Sequence, residues 1–180
     1  MPLPKEQIYT SEDYWNLPDG QRAELIDGKL YNMAPPHRIH QELVMELSAT
    51  IRQYIIEHTG NCKIYPAPFA VNLTANDKIW VEPDISVICD KSKLSDRGCE
   101  GAPDWIIEIV SPGTARMDYS VKLFKYRTAG VREYWIVNPM KNAVQTYIFE
   151  GEEDSNLFSF DEDIPVYIFP GLTINIAELL

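Results

Sequence analysis

Trp105-Ile106-Ile107-Glu108-Ile109-Val110, set between Pro103-Asp104 and Ser111-Pro112, is the stretch on which the fold turns. It is apolar on both faces except at Glu108, the pattern of a strand covered by other elements on either side. Ser111 to Thr114 reads as a loop. Asp118 to Ala129 follows as a helix, with Gly130 just past its end. Glu133-Tyr134-Trp135-Ile136-Val137 is a second buried strand, stopped by Asn138-Pro139. Strand, helix and strand in that order make a parallel crossover.

Upstream, Ile39, Leu43, Leu47, Ile51 and Ile55 recur every four residues, so Arg38 to Glu57 is expected to be an amphipathic helix. Asp27-Gly28 between Ala23-Glu24-Leu25-Ile26 and Lys29-Leu30-Tyr31-Asn32-Met33 predicts a tight hairpin. Thr10 and Ser11 before Glu12 and Asp13 mark the start of a short helix. Lys63 to Tyr65, Phe69 to Leu73 and Lys78 to Cys89 read as β segments, the last interrupted by Pro83. Asp90 to Pro103 reads as a polar loop. Downstream, Ala143 to Phe149 and Leu157 to Phe160 form a hairpin around an acidic turn, and an apolar tail follows a turn at Pro170-Gly171. There is no internal repeat or linker, so residues 1–180 are expected to form one α/β (α+β) domain.

The net charge of −11 argues against a strong nonspecific grip on nucleic acid, which comes from basic surfaces. The excess is uneven: Glu150 to Asp163 holds seven acidic residues and no basic one, whereas Arg116 to Arg132 holds five basic residues and only Asp118 as an acid. A local basic surface is compatible with the acidic whole. Cys62, Cys89 and Cys99 are widely spaced and odd in number, and they read as isolated thiols rather than a disulfide framework or a zinc site. No apolar stretch approaches the ~20 residues of a membrane helix. Met1 to Thr10 lacks the segments of a signal peptide, so a cytoplasmic protein is expected.

Glu108 is the residue that most demands an explanation. A carboxylate in mid-strand among Trp and Ile side chains costs several kcal/mol unless it is compensated. A buried salt bridge or a neutral acid would do this structurally; a metal would do it functionally. Asp84, at the head of Ile85-Ser86-Val87-Ile88, is either a solvent-facing strand end or the partner acid. Adjacent strands lie ~4.8 Å apart, so two carboxylates at equal height can share one hard cation such as Mg²⁺ or Mn²⁺. Lys122 lies on the helix after the Glu108 strand, in a row with Asp118 and Tyr126. It is either half of a surface Asp–Lys pair or the ammonium that orients water and stabilises charge on a phosphate. Lys125 is the competing lysine. His40 falls on the apolar stripe of its helix and is either a hydrogen-bonded structural histidine or a group aimed into a site. Glu24 is either a surface residue of its hairpin or a fourth acid. Arg38 and Arg116 are either solvated charges or phosphate contacts. Nothing supports a serine hydrolase, a P-loop or a dinucleotide site.

The runs Glu24 to Leu30, Pro35 to His40, Glu82-Pro83-Asp84, Pro103 to Pro112, Asp118 to Lys122 and Ala129 to Pro139 together resemble the Uma-two (Uma2) family. That family is a group of restriction-endonuclease-like proteins in the PD-(D/E)XK nuclease superfamily, and the similarity runs from about Tyr14 to Leu172. The resemblance implies a restriction-endonuclease-like fold, a central mixed β-sheet flanked by helices. It implies an Mg-dependent endonuclease acting on DNA, with Asp84 and Glu108 as metal ligands and Lys122 as the catalytic lysine. Val110 occupies the superfamily's lysine position, so the charge would come from Lys122 on the following helix. Glu24 and His40 match family positions lining the same pocket. Cleavage of both strands would favour a symmetric homodimer. The alternative is a catalytically inactive nuclease-fold module for binding or dimerisation, consistent with the acidic charge and the Val at position 110.

Overall fold

The computed structural model describes residues 7–58 and 60–180. The reading of the N-terminus as free of a signal falls largely on residues 1–6, outside the described residues. Helix α1 (Ser11–Trp15) begins as expected, with reciprocal bonds between Thr10 and Asp13 closing its first turn. Strands β1 (Ala23–Ile26) and β2 (Lys29–Asn32) follow, joined by Asp27 and Gly28 at φ values of 50° and 78°. Those are the two positive φ values that a type I′ turn requires. Helix α2 spans Arg38–Glu57 and buries Leu43, Val44, Leu47, Ile51 and Ile55.

Strands β3 (Lys63–Pro66), β4 (Val71–Asn72), β5 (Ile79–Val81) and β6 (Ile85–Ile88) come next. The single run expected over Lys78 to Cys89 is thus two strands, and they belong to different sheets. The break falls at Glu82-Pro83-Asp84, where Pro83 has no N–H to continue a ladder. The presumed loop from Asp90 to Pro103 holds a 3₁₀ turn (Lys91–Lys93) and two short strands, β7 (Leu94–Ser95) and β8 (Gly98–Glu100). A Cβ on Gly98 would stand 2.0 Å from the Ala70 carbonyl oxygen, so β8 reaches this approach only with glycine. The chain continues through β9 (Trp105–Ile109), a π-helical turn (Met117–Lys122), α3 (Leu123–Ala129), β10 (Glu133–Asn138), β11 (Ala143–Ile148), β12 (Asp154–Ser159), β13 (Ile164–Pro165) and β14 (Thr173–Ile174).

The expected mixed α+β fold is present, with its strands in two six-stranded mixed sheets. One runs β2-β1-β5-β4-β8-β7, the other β12-β11-β10-β9-β6-β3, and β13 pairs with β14 alone. In the second sheet β9 is parallel to β10 and antiparallel to β6. Its faces divide by the two-residue period of a strand. Ile85, Val87, Trp105, Ile107, Ile109 and Trp135 pack with Leu43, Leu47 and Ile51 of α2. Ile88, Ile106, Val110, Tyr134 and Ile136 pack on the other side with Ile26 and Val81 of the first sheet and Tyr126 of α3. Glu108 belongs to this second face by alternation, and so lies between the layers. No helix among the described residues is long and apolar enough to cross a membrane.

Cys62 and Cys89 form a disulfide, which corrects the reading of three isolated thiols; Cys99 stays free and buried. The register Lys63↔Ile88 puts Cys62 and Cys89 at the next opposed position, a neighbourhood that sequence spacing could not reveal. The link closes a loop with a sequence separation of 27. On a chain-entropy basis such a loop stabilises the fold by about 3–4 kcal/mol. Reduction with a thiol reagent is expected to lower the melting temperature by roughly 10 °C at this chain length, read by calorimetry beside alkylation mass spectrometry.

Glu133 is a second buried acid, and here it serves the fold. Its Oε1 accepts from Trp135 Nε1 at 2.7 Å and from the Tyr167 N–H at 3.1 Å, and its Oε2 accepts from the Ile168 N–H at 3.0 Å. Burial raises its pKa, and those three donors oppose the rise. The carboxylate thereby ties the segment after β13 to the end of the second sheet. Glu133→Ala leaves the buried Trp135 indole and two part-buried backbone N–H groups without their acceptor. Its expected cost in urea unfolding is about 1–3 kcal/mol, the cost of the one fully buried donor left unpaired.

Candidate functional site

The register of β6 against β9 pairs Ile85 with Ile107, so one step further sets Asp84 opposite Glu108. The two strands expected to be neighbours are neighbours, and the break at Pro83 leaves Asp84 at the mouth of the sheet. Its Oδ2 accepts from the Ile109 N–H at 2.7 Å and lies 3.1 Å from His40 Nε2. His40 is in the first turn of α2, so the helix's core-facing stripe leads it to the carboxylate. Its Nδ1 is buried with no hydrogen-bond partner.

Glu108 and Lys122 meet deeper in. Lys122 Nζ donates to Glu108 Oε1 at 2.9 Å, and Tyr126 Oη donates to the same oxygen at 2.6 Å. Glu24 reaches the same ammonium from the other sheet, with Oε1 3.0 Å from Lys122 Nζ. That face of β1 is set by Ile26, which packs in the layer shared with Ile106 and Tyr126. The Glu82 N–H donates to Glu24 Oε1 at 2.9 Å and holds it in place. Asp118 Oδ1 stands 3.6 Å from the lysine nitrogen. The exposures are 5% for Glu24, 3% for Glu108, 2% for Asp118 and 5% for Lys122, so the group is almost wholly removed from water. The surface readings of Glu24 and Lys122 therefore do not hold. Lys125 faces outward and pairs with Asp27 at 2.6 Å, which removes it from this group. Arg38 is exposed and tied to Glu42, and Arg116 is exposed.

Charge dominates the chemistry of this cluster. Burial drives the Glu108 pKa well above its ordinary range; Lys122 opposes this, while Asp118, Asp84 and Glu24 add to it. Burial likewise raises Asp118, against Lys122 and a hydrogen bond from Thr114. Burial alone would discharge Lys122, but Glu108, Glu24 and Asp118 outweigh it and hold the ammonium well above its usual value. The Tyr126 phenol is pushed far up by burial and by Glu108, so it remains a proton donor. Four carboxylates thus face one lysine and one imidazole, a surplus of negative charge in a dry place.

Two members were not chosen from the sequence. Asp118 and Tyr126 stand four residues either side of Lys122, and that spacing was the available signal. Asp118 and Lys122 lie in the π-helical turn and Tyr126 in α3 directly after it. Glu82 also joins the surroundings: Tyr14 Oη donates to its Oε1 at 3.1 Å and Arg22 Nε to its Oε2 at 2.9 Å. Nothing in the sequence signalled that role, which depends on contacts across 60 and 68 residues. Among the described residues, no three His, Cys, Asp or Glu side chains converge on one point in the manner of a complete metal cage.

The model of the Uma2 family, described as "Putative restriction endonuclease", matches residues 11–177. An uncharacterized protein of Synechocystis sp. is 24% identical over 149 residues, covering 81% of this chain and 75% of that protein. The fold is shared with a crystal structure from Anabaena variabilis, described as "a putative nuclease belonging to DUF820". That structure has a TM-score of 0.75 and 23% identity, over 94% of this chain and 96% of the other.

Proposed function

Because this chain belongs to the Uma2 family and has the restriction-endonuclease-like fold, we propose that it is a metal-dependent endonuclease hydrolysing DNA phosphodiester bonds at the Asp84–Glu108–Lys122 cluster. The observation that carries this reading is the opposition of Asp84 and Glu108 on adjacent strands, with Lys122 held against Glu108 at 2.9 Å.

The residues suit a hard divalent cation. All the acidic donors are oxygens, and their negative charge exceeds the local positive charge. Asp84 and Glu108 would hold Mg²⁺ or Mn²⁺, with water completing the shell. When bound, the metal supplies a hydroxide at neutral pH and neutralises charge on the phosphate. Lys122 places a permanent positive charge at the cluster, where a pentacovalent phosphate would otherwise meet only carboxylates. Tyr126 and Lys122 fix the Glu108 carboxylate, and the Ile109 N–H and His40 fix Asp84, so both acids are oriented before substrate arrives. Glu24 holds Lys122 from the opposite sheet.

The test is calorimetric titration of Mn²⁺ and Mg²⁺ into wild type, Asp84→Ala and Glu108→Ala, followed by cleavage of a DNA panel. Uptake in wild type that vanishes in both variants is the expected result. A second reading, a nuclease-fold binding or dimerisation module without catalysis, is favoured by the occupation of Glu108 Oε1 by two donors. Folded wild type that takes up no metal and cleaves nothing would select it.

A third arm concerns His40. His40→Ala removes one of the two partners of Asp84 Oδ2 and leaves the Ile109 N–H in place. The expected effect is a cleavage rate lower by roughly 10-fold, with metal affinity weakened to a similar extent, in line with outer-shell partners. Unchanged affinity and rate would make His40 purely structural.

A further inference from the structure

Lys122 has more acceptors than it uses. Its ammonium bonds to Glu108 and Glu24 at 2.9 and 3.0 Å, yet Asp118 Oδ1, 3.6 Å away, lies buried without a hydrogen-bond partner. A bare carboxylate oxygen in a dry site is costly, and a shift of the lysine nitrogen by less than 1 Å would satisfy it at ordinary hydrogen-bond length. Asp118 and Lys122 both sit in the π-helical turn, four residues apart and in contact across one turn. Glu108 Oε1 meanwhile is crowded, receiving both Lys122 and Tyr126.

We infer that Lys122 has two berths, one on Glu108 and Glu24 and one on Asp118, and that Asp118 is the positioning residue that receives the ammonium when a divalent cation takes up Glu108. The inference rests on the metal reading above and deepens it. In the metal-free protein Lys122 acts as the internal counter-ion of the acids and competes with the metal for Glu108. A divalent cation on the Glu108 carboxylate stands close to an ammonium already bonded to its Oε1 and repels it strongly. Asp118 lowers that conflict by giving the lysine a charged acceptor one step away, still beside the substrate phosphate. Tyr126 stays on Glu108 throughout and keeps the carboxylate oriented.

The experiment combines calorimetry with NMR of the lysine side-chain ammonium, on wild type, Asp118→Asn, Asp118→Glu and the Asp118→Asn/Lys122→Met pair. Mg²⁺ is expected to shift the Lys122 resonance in wild type and not in Asp118→Asn. Mn²⁺ and Mg²⁺ affinity is expected to fall at least tenfold in Asp118→Asn and to recover to within about threefold in Asp118→Glu. In a Lys122→Met background, Asp118→Asn is expected to change affinity less than threefold, because there is no ammonium left to receive. An equal loss in both backgrounds would make Asp118 a metal ligand and overturn the inference. So would an affinity in Asp118→Asn equal to wild type, or a Lys122 resonance that Mg²⁺ does not move. If wild type takes up no metal, the metal reading itself fails. The metal-free spectra then decide: a Lys122 resonance identical in wild type and Asp118→Asn overturns the second berth, and a displaced one supports it.

Discussion

Glu108→Gln is expected to lower DNA cleavage by on the order of 10³-fold, the scale lost when a preorganised charge is taken from a buried catalytic site. Gln keeps the shape and can still accept from Lys122 and Tyr126, so the fold survives while the anion is gone. Stability should move in a defined direction with pH. The folded pKa of Glu108 is raised above its unfolded value, chiefly by burial. The native state therefore holds this proton more tightly, and the group's contribution is fully present below the ordinary carboxylate range. It is lost as pH rises through the folded value. Gln does not titrate. In EDTA, the melting temperature of the variant minus that of wild type is thus expected to increase between pH 4 and pH 8. A difference that shrinks over that range would contradict the assignment of Glu108 as the strained acid. Residual cleavage at the wild-type rate would remove it from the chemistry.

Lys122→Met is expected to be the most destabilising change at the cluster. Methionine fills much the same space but leaves Glu24, Glu108 and Asp118 in a dry site with no cation between them. Removing one partner from a buried ion pair costs about 3–5 kcal/mol, which at this chain length lowers the melting temperature by roughly 6–20 °C. The stranded acids can escape by taking up protons, so the loss should be largest near pH 8 and smallest near pH 5. Lys122's own titration in wild type has the same sign but falls at much higher pH. Its folded pKa is raised above the unfolded value by the surrounding carboxylates. Its contribution is complete below the unfolded lysine value and is lost only as pH climbs through the higher folded one. Thermal melts of the variant at pH 5 and pH 8 decide the point, and equal stability to wild type at pH 8 would mean that the acids find another counter-ion. Cleavage should fall alongside, even in preparations held folded at low temperature, because the site loses its fixed positive charge.

The local periodicities of this chain were enough for most of its elements. Alternation and four-residue spacing are properties of a segment alone, so α2, the β1–β2 hairpin with its Asp27-Gly28 turn, and the β9–helix–β10 crossover were legible without any partner in view. The same reasoning singled out Glu108, since a lone carboxylate in an apolar strand is conspicuous in one dimension. It raised Asp84, Lys122, Glu24 and His40, but left each with a plain structural alternative. What it could not supply was neighbourhood. Only the β6–β9 register sets Asp84 across from Glu108, and only the stacking of one sheet on the other carries Glu24 to Lys122. Tertiary packing also divided the run from Lys78 to Cys89 between two sheets, found strands in an apparent loop, and brought Cys62 opposite Cys89. It brought Asp118 and Tyr126 into contact with the Glu108–Lys122 pair. Segment periodicity is set by covalent geometry within a few residues, and a sequence carries it outright. The charge balance of a buried cluster depends on side chains from separate elements removed from water together, so it exists only once the chain has folded.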